Sequence, residues 1–186
     1  MNHSDHVDLL REGVPGPGGV WADLGAGTGA FTLALAELLG RGGTIYAVDK
    51  DRSALRQLEQ TMRSRFPATT LVSQPADFTR RLDLPSLDGV VMANALHFCR
   101  PAEQVTVVKL IHSYLRPGGR LILVEYDADT GNTWVPYPLS YPSWQAVARR
   151  NGFTHITRLA SKPSRFLGRI YSALSLLDRK IEADHS

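Results

Sequence analysis

Gly25, Gly27 and Gly29 follow the apolar run Val20-Trp-Ala-Asp-Leu24 and open onto a helical pattern. Glycines let the backbone turn sharply and approach a ligand closely, and the start of the next helix offers unpaired N–H groups. That combination suits an adenosine-type cofactor. The spacing Gly25-x-Gly27-x-x-Ala30 also satisfies a relaxed dinucleotide fingerprint, so the glycines alone do not choose between cofactors. A second apolar run, Thr44-Ile-Tyr-Ala-Val-Asp49, ends in a carboxylate about one helix and one strand later. A carboxylate there can accept from both ribose hydroxyls, because a vicinal diol needs two acceptors at fixed separation. No Gly-Lys-Ser/Thr follows the glycines, which argues against nucleoside triphosphate hydrolysis.

The elements that must carry these residues alternate in type. Phe31, Ala34, Leu35 and Leu38 follow helical spacing over residues 29–39, and Leu55, Leu58 and Met62 repeat it. Val105, Val108, Ile111 and Leu115 mark another helix, stopped by Pro117-Gly-Gly. The short apolar runs 69–73, 88–93 and 120–125 read as doubly buried parallel strands. A short leader helix over 5–14 ends at Pro15-Gly-Pro-Gly-Gly, so residues 1–17 are a leader and linker. Residues 128–142, rich in proline and aromatics, are a loop; a helix near 143–151 and strands at 154–159 and 169–174 follow. The expectation is one domain spanning 1–186, a doubly wound α/β sheet with its ligand outside the carboxyl ends of the strands.

Four blocks in order, Asp23-Leu-Gly-Ala-Gly-Thr-Gly29, Ala47-Val-Asp49, Ala76-Asp77-Phe78 and Leu115–Glu125, make the chain resemble the class I (Rossmann-like) S-adenosylmethionine-dependent methyltransferases. The resemblance implies a three-layer α/β/α sandwich around a mostly parallel seven-stranded sheet with an antiparallel edge strand. It also implies S-adenosylmethionine as cofactor and S-adenosylhomocysteine as product. On it, Asp23, Gly25, Gly27, Gly29, Asp49, Lys50, Asp77, Phe78 and Asn94 are the cofactor-binding residues, Asp23 holding the methionine ammonium and Asp77 the adenine amine. Asn94-Ala-Leu-His97 stands where base and glutamine N-methyltransferases carry Asn/Asp-Pro-Pro-Tyr/Phe, which makes that subclass improbable.

His97 is the candidate catalytic base, since an imidazole takes a proton near neutral pH; a merely site-lining role for it is the alternative. Tyr126 and Asp127, leaving the fifth strand, are placed to touch the acceptor. Trp134, Tyr137 and Tyr141 either wall the acceptor pocket or staple the last helix to the sheet. The Tyr46-x-x-x-Lys50 match to short-chain dehydrogenases is rejected, because Tyr46 falls in a strand and that pair needs a helix.

With 186 residues and a net charge of +3, the chain has no apolar run of membrane-spanning length, and its polar start is unlike a signal peptide. A cytoplasmic protein is the expectation. Cys99, the single cysteine, cannot form an internal disulfide, and no metal-ligand spacing stands out. Eight basic residues against Asp178 between Arg149 and Lys180 could meet nucleic acid, but a solvated face is the commoner meaning. The favoured acceptor is a small molecule, with a homo-oligomer able to complete the site. The rivals are an RNA or protein methyltransferase, a non-catalytic cofactor-binding subunit and an NAD-dependent oxidoreductase.

Overall fold

The computed structural model describes residues 1–178, so Arg179 and Lys180 of the basic segment lie outside the described residues. In chain order the elements are α1 (His3–Arg11), β1 (Gly19–Leu24), α2 (Ala30–Leu39), β2 (Gly43–Asp49), α3 (Arg52–Arg65), β3 (Thr70–Pro75) and β4 (Leu87–Ala93). A 3-10 turn (Leu96–Phe98), α4 (Pro101–Tyr114), β5 (Leu115–Tyr126), α5 (Tyr141–Arg150), β6 (Phe153–Pro163) and β7 (Arg169–Leu177) complete them. The seven strands form one sheet in the order β3-β2-β1-β4-β5-β7-β6. Strands β1 to β5 pair in parallel, and β7 runs antiparallel between β5 and β6. The order reverses between β1 and β4, which opens a crevice at their carboxyl ends.

Each face of the sheet carries its own core. Leu9, Leu10, Phe31, Leu35, Leu39, Leu58 and Met62 of α1, α2 and α3 pack on Ile45, Val91, Ile122 and Val124. On the other face Val107, Val108, Ile111, Trp144 and Ala148 of α4 and α5 meet Leu24, Val90, Met92, Leu121 and Leu123. Strands covered on both sides are uniformly apolar, which is why β4 and β5 read as runs rather than as alternation. Lys162 of β6 pairs with Asp5 and Asp8 of α1 at 2.9 and 3.0 Å, tying the leader helix to the sheet edge.

Two details depart from the sequence expectation. Strand and helix do not alternate throughout: residues 76–86, between β3 and β4, form an irregular connection. Asp77 Oδ1 there accepts from the Thr79 N–H and hydroxyl, a local bond that competes with helix, and Pro85 follows. The Leu115–Gly119 segment is more than a helix stop, because Leu115 already pairs with Leu87 before the register shifts and Arg120 pairs with Gly89.

Gly29 precedes α2 with φ +92°, and a Cβ added there would overlap the Leu58 side chain. Gly29→Ala is expected to cost about 1–3 kcal/mol in a urea melt, from left-handed strain plus overpacking. An unchanged midpoint would show that the turn tolerates a side chain.

Candidate functional site

The crevice holds a cavity of about 510 Å3 lined by Gly25, Asp49, Lys50, Asp77, Phe78, Thr79, Arg80, Asn94, Ala95, Phe98, Cys99 and Glu103. That volume is in the range of ligand sites of roughly 300–1,000 Å3. Its floor is the turn after β1. The Gly25 and Ala26 N–H groups both donate to Val48 O, at 2.8 and 3.0 Å, fastening the turn to β2. Gly25 has φ +82°, and a Cβ on it would sit 2.6 Å from Ala95 Cβ. Position 25 therefore admits only glycine without moving the segment after β4.

Asp49 closes β2 with both carboxylate oxygens oriented. Oδ2 accepts from Gly27 N and Oδ1 from Asp51 N, each at 2.8 Å. Every oxygen retains a second acceptor direction, so two hydroxyls can be held without disturbing these bonds. Asp51 then caps α3 through Ser53 N and Ala54 N. Across the cavity Lys50 Nζ lies 2.9 Å from Asp77 Oδ2. Burial pushes the Asp77 carboxyl up, but the Thr79 hydrogen bonds and the Lys50 ammonium outweigh it and hold the group below the ordinary carboxylate range.

Asn94 follows β4 in the left-handed region, φ 51°, with its N–H donated to Val124 O at 2.9 Å. Asparagine tolerates that conformation better than most residues. Its Oδ1 is buried without a hydrogen-bond partner in the protein. A buried acceptor left open at a cavity wall is where a ligand donor fits.

Asp23 is 1% exposed beneath the turn, its Oδ2 accepting from Thr32 Oγ1 at 2.6 Å. Burial pushes its carboxyl up to about 6; the Thr32 hydroxyl opposes that shift and the Asp49 charge adds to it. A cation at this depth would favour the ionised form. Asp23 and Gly27 are not among the cavity-lining residues, and Gly29 serves the turn under Leu58.

His97, Tyr126 and Asp127 are placed differently from the cavity-lining residues. His97 is 3% exposed, and its Nδ1 lies 2.9 and 3.1 Å from the two carboxylate oxygens of the fully buried Glu125. Glu125 also accepts the His97 and Tyr126 N–H groups. The imidazole packs against Phe98 and edge-on to Tyr126, which is itself buried. Asp127 pairs with Arg158 at 2.9 Å and accepts from Tyr141 N, fixing the end of the loop. Tyr141 is the staple, donating to Ile156 O and packing edge-on to Tyr171, whereas Trp134 and Tyr137 stand exposed.

Sequence reasoning missed Thr79, Arg80, Cys99 and Glu103 as lining residues and missed the His97–Glu125 pair. Asp77-x-Thr79 is a recognisable side-chain turn and was available as a signal. Burial pushes the Cys99 thiol up to about 11, which leaves it protonated and a poor nucleophile at neutral pH.

A family model described as a methyltransferase domain matches residues 22–119, just over half of the 186. The chain belongs to that methyltransferase family. The matched span contains every residue that lines the cavity. A curated relative, the carboxy-S-adenosyl-L-methionine synthase of Shewanella denitrificans, is 28% identical over 136 residues, 63% of this chain and 56% of that protein. The chain thus spans about half the length of the curated relatives it matches. Among solved structures, the Burkholderia thailandensis 1,6-didemethyltoxoflavin-N1-methyltransferase, holding its acceptor and S-adenosylhomocysteine, superimposes with a TM-score of 0.73 at 20% identity. That match covers 95% of this chain and 78% of the other. Synechocystis magnesium protoporphyrin IX methyltransferase with bound S-adenosylmethionine gives 0.71 at 17% identity, with the same coverages of 95% and 78%. At these identities the superpositions describe a shared methyltransferase fold. The cofactor of this family is S-adenosylmethionine.

Asp23 yields a pH prediction. Its folded value near 6 lies above the unfolded value near 3.9, so the folded chain binds the extra proton between them. Stability from this group is therefore full below about pH 4 and is lost as pH rises to about 6. Binding of an ammonium group requires the ionised form and should strengthen over the same rise. Asp23→Asn is expected to stabilise the ligand-free protein at pH 7 by about 1–3 kcal/mol while weakening S-adenosylhomocysteine binding about tenfold. Thermal melts and titrations at pH 5 and 7.5 check both signs; tighter binding by the variant would contradict the assignment.

Proposed function

We propose that the protein transfers a methyl group from S-adenosylmethionine to a small-molecule nucleophile. The observation that carries the reading is Asp49 at the rim of the switch-point cavity, with both oxygens oriented by backbone N–H groups. Asp49 holds the ribose hydroxyls, and Phe78 and Asp77 flank the base. Asn94 Oδ1 takes a donor from the cofactor, and Asp23, beneath the glycine turn and outside the lining, helps hold its ammonium through water. The bound cofactor supplies a methyl on a sulfonium, reactive without help from an acidic or basic side chain. The chain's part is then to orient the acceptor and keep water out. The Glu125–His97 pair contributes by fixing the 94–99 segment, with Tyr137 N donating to His97 O at 3.0 Å as a further tie.

The basic segment supports an RNA acceptor less well, since Arg158 and Lys162 are engaged by Asp127, Asp5 and Asp8. Incubation with methyl-labelled cofactor and separate small-molecule, RNA and protein fractions tests the reading. A labelled small molecule other than the cofactor is expected; transferred label confined to RNA or protein overturns it. A second reading is favoured by the carboxy-S-adenosyl-L-methionine synthase relative and by Arg80 in the cavity lining, a partner suited to a carboxylate. In that reading a carboxyl donor in the small-molecule fraction gives its carboxyl group to the cofactor's methyl carbon, which loses a proton, and a correspondingly heavier nucleoside would appear in the same incubation.

A further inference from the structure

Among the described residues four exposed aromatic side chains, Phe98, Trp134, Tyr137 and Phe166, belong to the end of the sheet that carries the cavity. Phe98 stands in the turn after β4, and Trp134 and Tyr137 in the loop after β5. Phe166 lies in the turn between β6 and β7. Because β7 is antiparallel to β5, with Ile170 opposite Tyr126, that turn also arrives at the carboxyl end of β5.

The three segments are bonded together. Tyr137 N donates to His97 O at 3.0 Å, Gln104 Nε2 to Tyr137 O at 2.8 Å, and Asn132 Nδ2 to Phe166 O at 2.9 Å. Asn132 Oδ1 accepts from Trp134 N and Val135 N, both at 2.9 Å, which orders the loop that bears the tryptophan. Rings carried on a hydrogen-bonded backbone bind with little loss of conformational freedom, and exposed apolar groups gathered in one place mark binding surfaces.

The carboxylates beside them are already used, and the one guanidinium next to Phe166, that of Arg165, lies over its ring at 5.0 Å. Asp127 pairs with Arg158, and Asp129 accepts from Ser140 N and Oγ. The surface therefore offers ring faces rather than carboxylates, which suits a flat π-system better than an alkylamine. Phe98 belongs to both places, lining the cavity while 64% exposed.

We propose that Phe98, Trp134, Tyr137 and Phe166 form the acceptor platform, and that the acceptor is a planar aromatic or heteroaromatic ring system laid beside the cofactor. The proposal rests on the cavity being the S-adenosylmethionine site. It assigns substrate selection to the loop of 128–142 and the β6–β7 turn, outside the span matched by the family model.

Trp134 is 70% exposed, whereas Trp21 and Trp144 are buried at 1% and 0%, so a surface-bound quencher reports on Trp134. The experiment titrates lumichrome, a planar tricyclic heterocycle, into protein saturated with S-adenosylhomocysteine and follows tryptophan emission. Calorimetry measures S-adenosylhomocysteine binding separately for each protein. Saturable quenching is expected, weakened about fivefold or more in Tyr137→Ala and in Phe166→Ala, as for loss of one stacking partner. Cofactor affinity should stay within about twofold in both variants, neither residue lining the cavity. Absent quenching, quenching seen only in a parallel titration without S-adenosylhomocysteine, or unchanged variants would overturn the platform. So would a dimer in sedimentation that Trp134→Glu dissolves, since the rings would then be a subunit interface. Failure of S-adenosylhomocysteine to bind in the calorimeter would overturn the cofactor reading and the acceptor platform with it, whereas failure of quenching in protein that binds it overturns the platform alone.

Discussion

Asp49→Ala is expected to weaken S-adenosylhomocysteine binding by about 100-fold or more. Two hydrogen bonds from hydroxyls to a carboxylate contribute about 1.5–3 kcal/mol each, and 2.7 kcal/mol is already a hundredfold. The substitution also frees the Gly27 and Asp51 N–H groups, loosening the glycine turn and the start of α3 together. Asp49→Asn separates the two effects, because its single carbonyl oxygen keeps one of the two backbone bonds and can still serve one hydroxyl. Its affinity should fall between wild type and Asp49→Ala. Calorimetric titration of all three proteins checks the order. Equal affinities would place the ribose elsewhere.

Glu125→Ala is expected to destabilise the fold by about 3–5 kcal/mol, the cost typical of removing one partner from a buried charged or hydrogen-bonded pair. Glu125 is 0% exposed and accepts from His97 Nδ1, His97 N and Tyr126 N, so truncation strands three buried donors. Glu125→Gln keeps the shape and an acceptor oxygen and should lose less than half as much. His97→Ala leaves the Glu125 carboxylate buried without its imidazole and should resemble Glu125→Ala in stability. Loss of activity in that variant is therefore not by itself the signature of a base. Urea denaturation of the three variants settles the ranking, and a His97→Ala protein as stable as wild type would show that the pair does not hold the segment.

The arrangement of the sheet was legible because its evidence is local. Apolar runs such as Val20–Leu24 and Arg120–Glu125 are what strands buried on both faces require, and Gly25 sits where a turn must pass under Ala95. Asp49 was legible for the same reason, standing at the end of its run. Elsewhere the decisive contacts join distant positions. His97 and Glu125 are 28 residues apart and meet only because β4 and β5 pair with Ala93 opposite Val124. No local pattern announces that register. The irregular connection over 76–86, which breaks the alternation of strand and helix, reflects a competition between Asp77 side-chain bonds and helical bonds that propensity alone does not decide. Arg80 and Glu103 escaped notice because solvent-facing charges look alike until the fold turns them toward one cavity.

Titration of the intact protein with S-adenosylhomocysteine, and with NAD in parallel, tests the central claim most directly. The account predicts one-to-one binding of S-adenosylhomocysteine at micromolar or tighter affinity, strengthening as pH rises through about 6, with no comparable heat from NAD. Tight NAD binding with none for S-adenosylhomocysteine would contradict it.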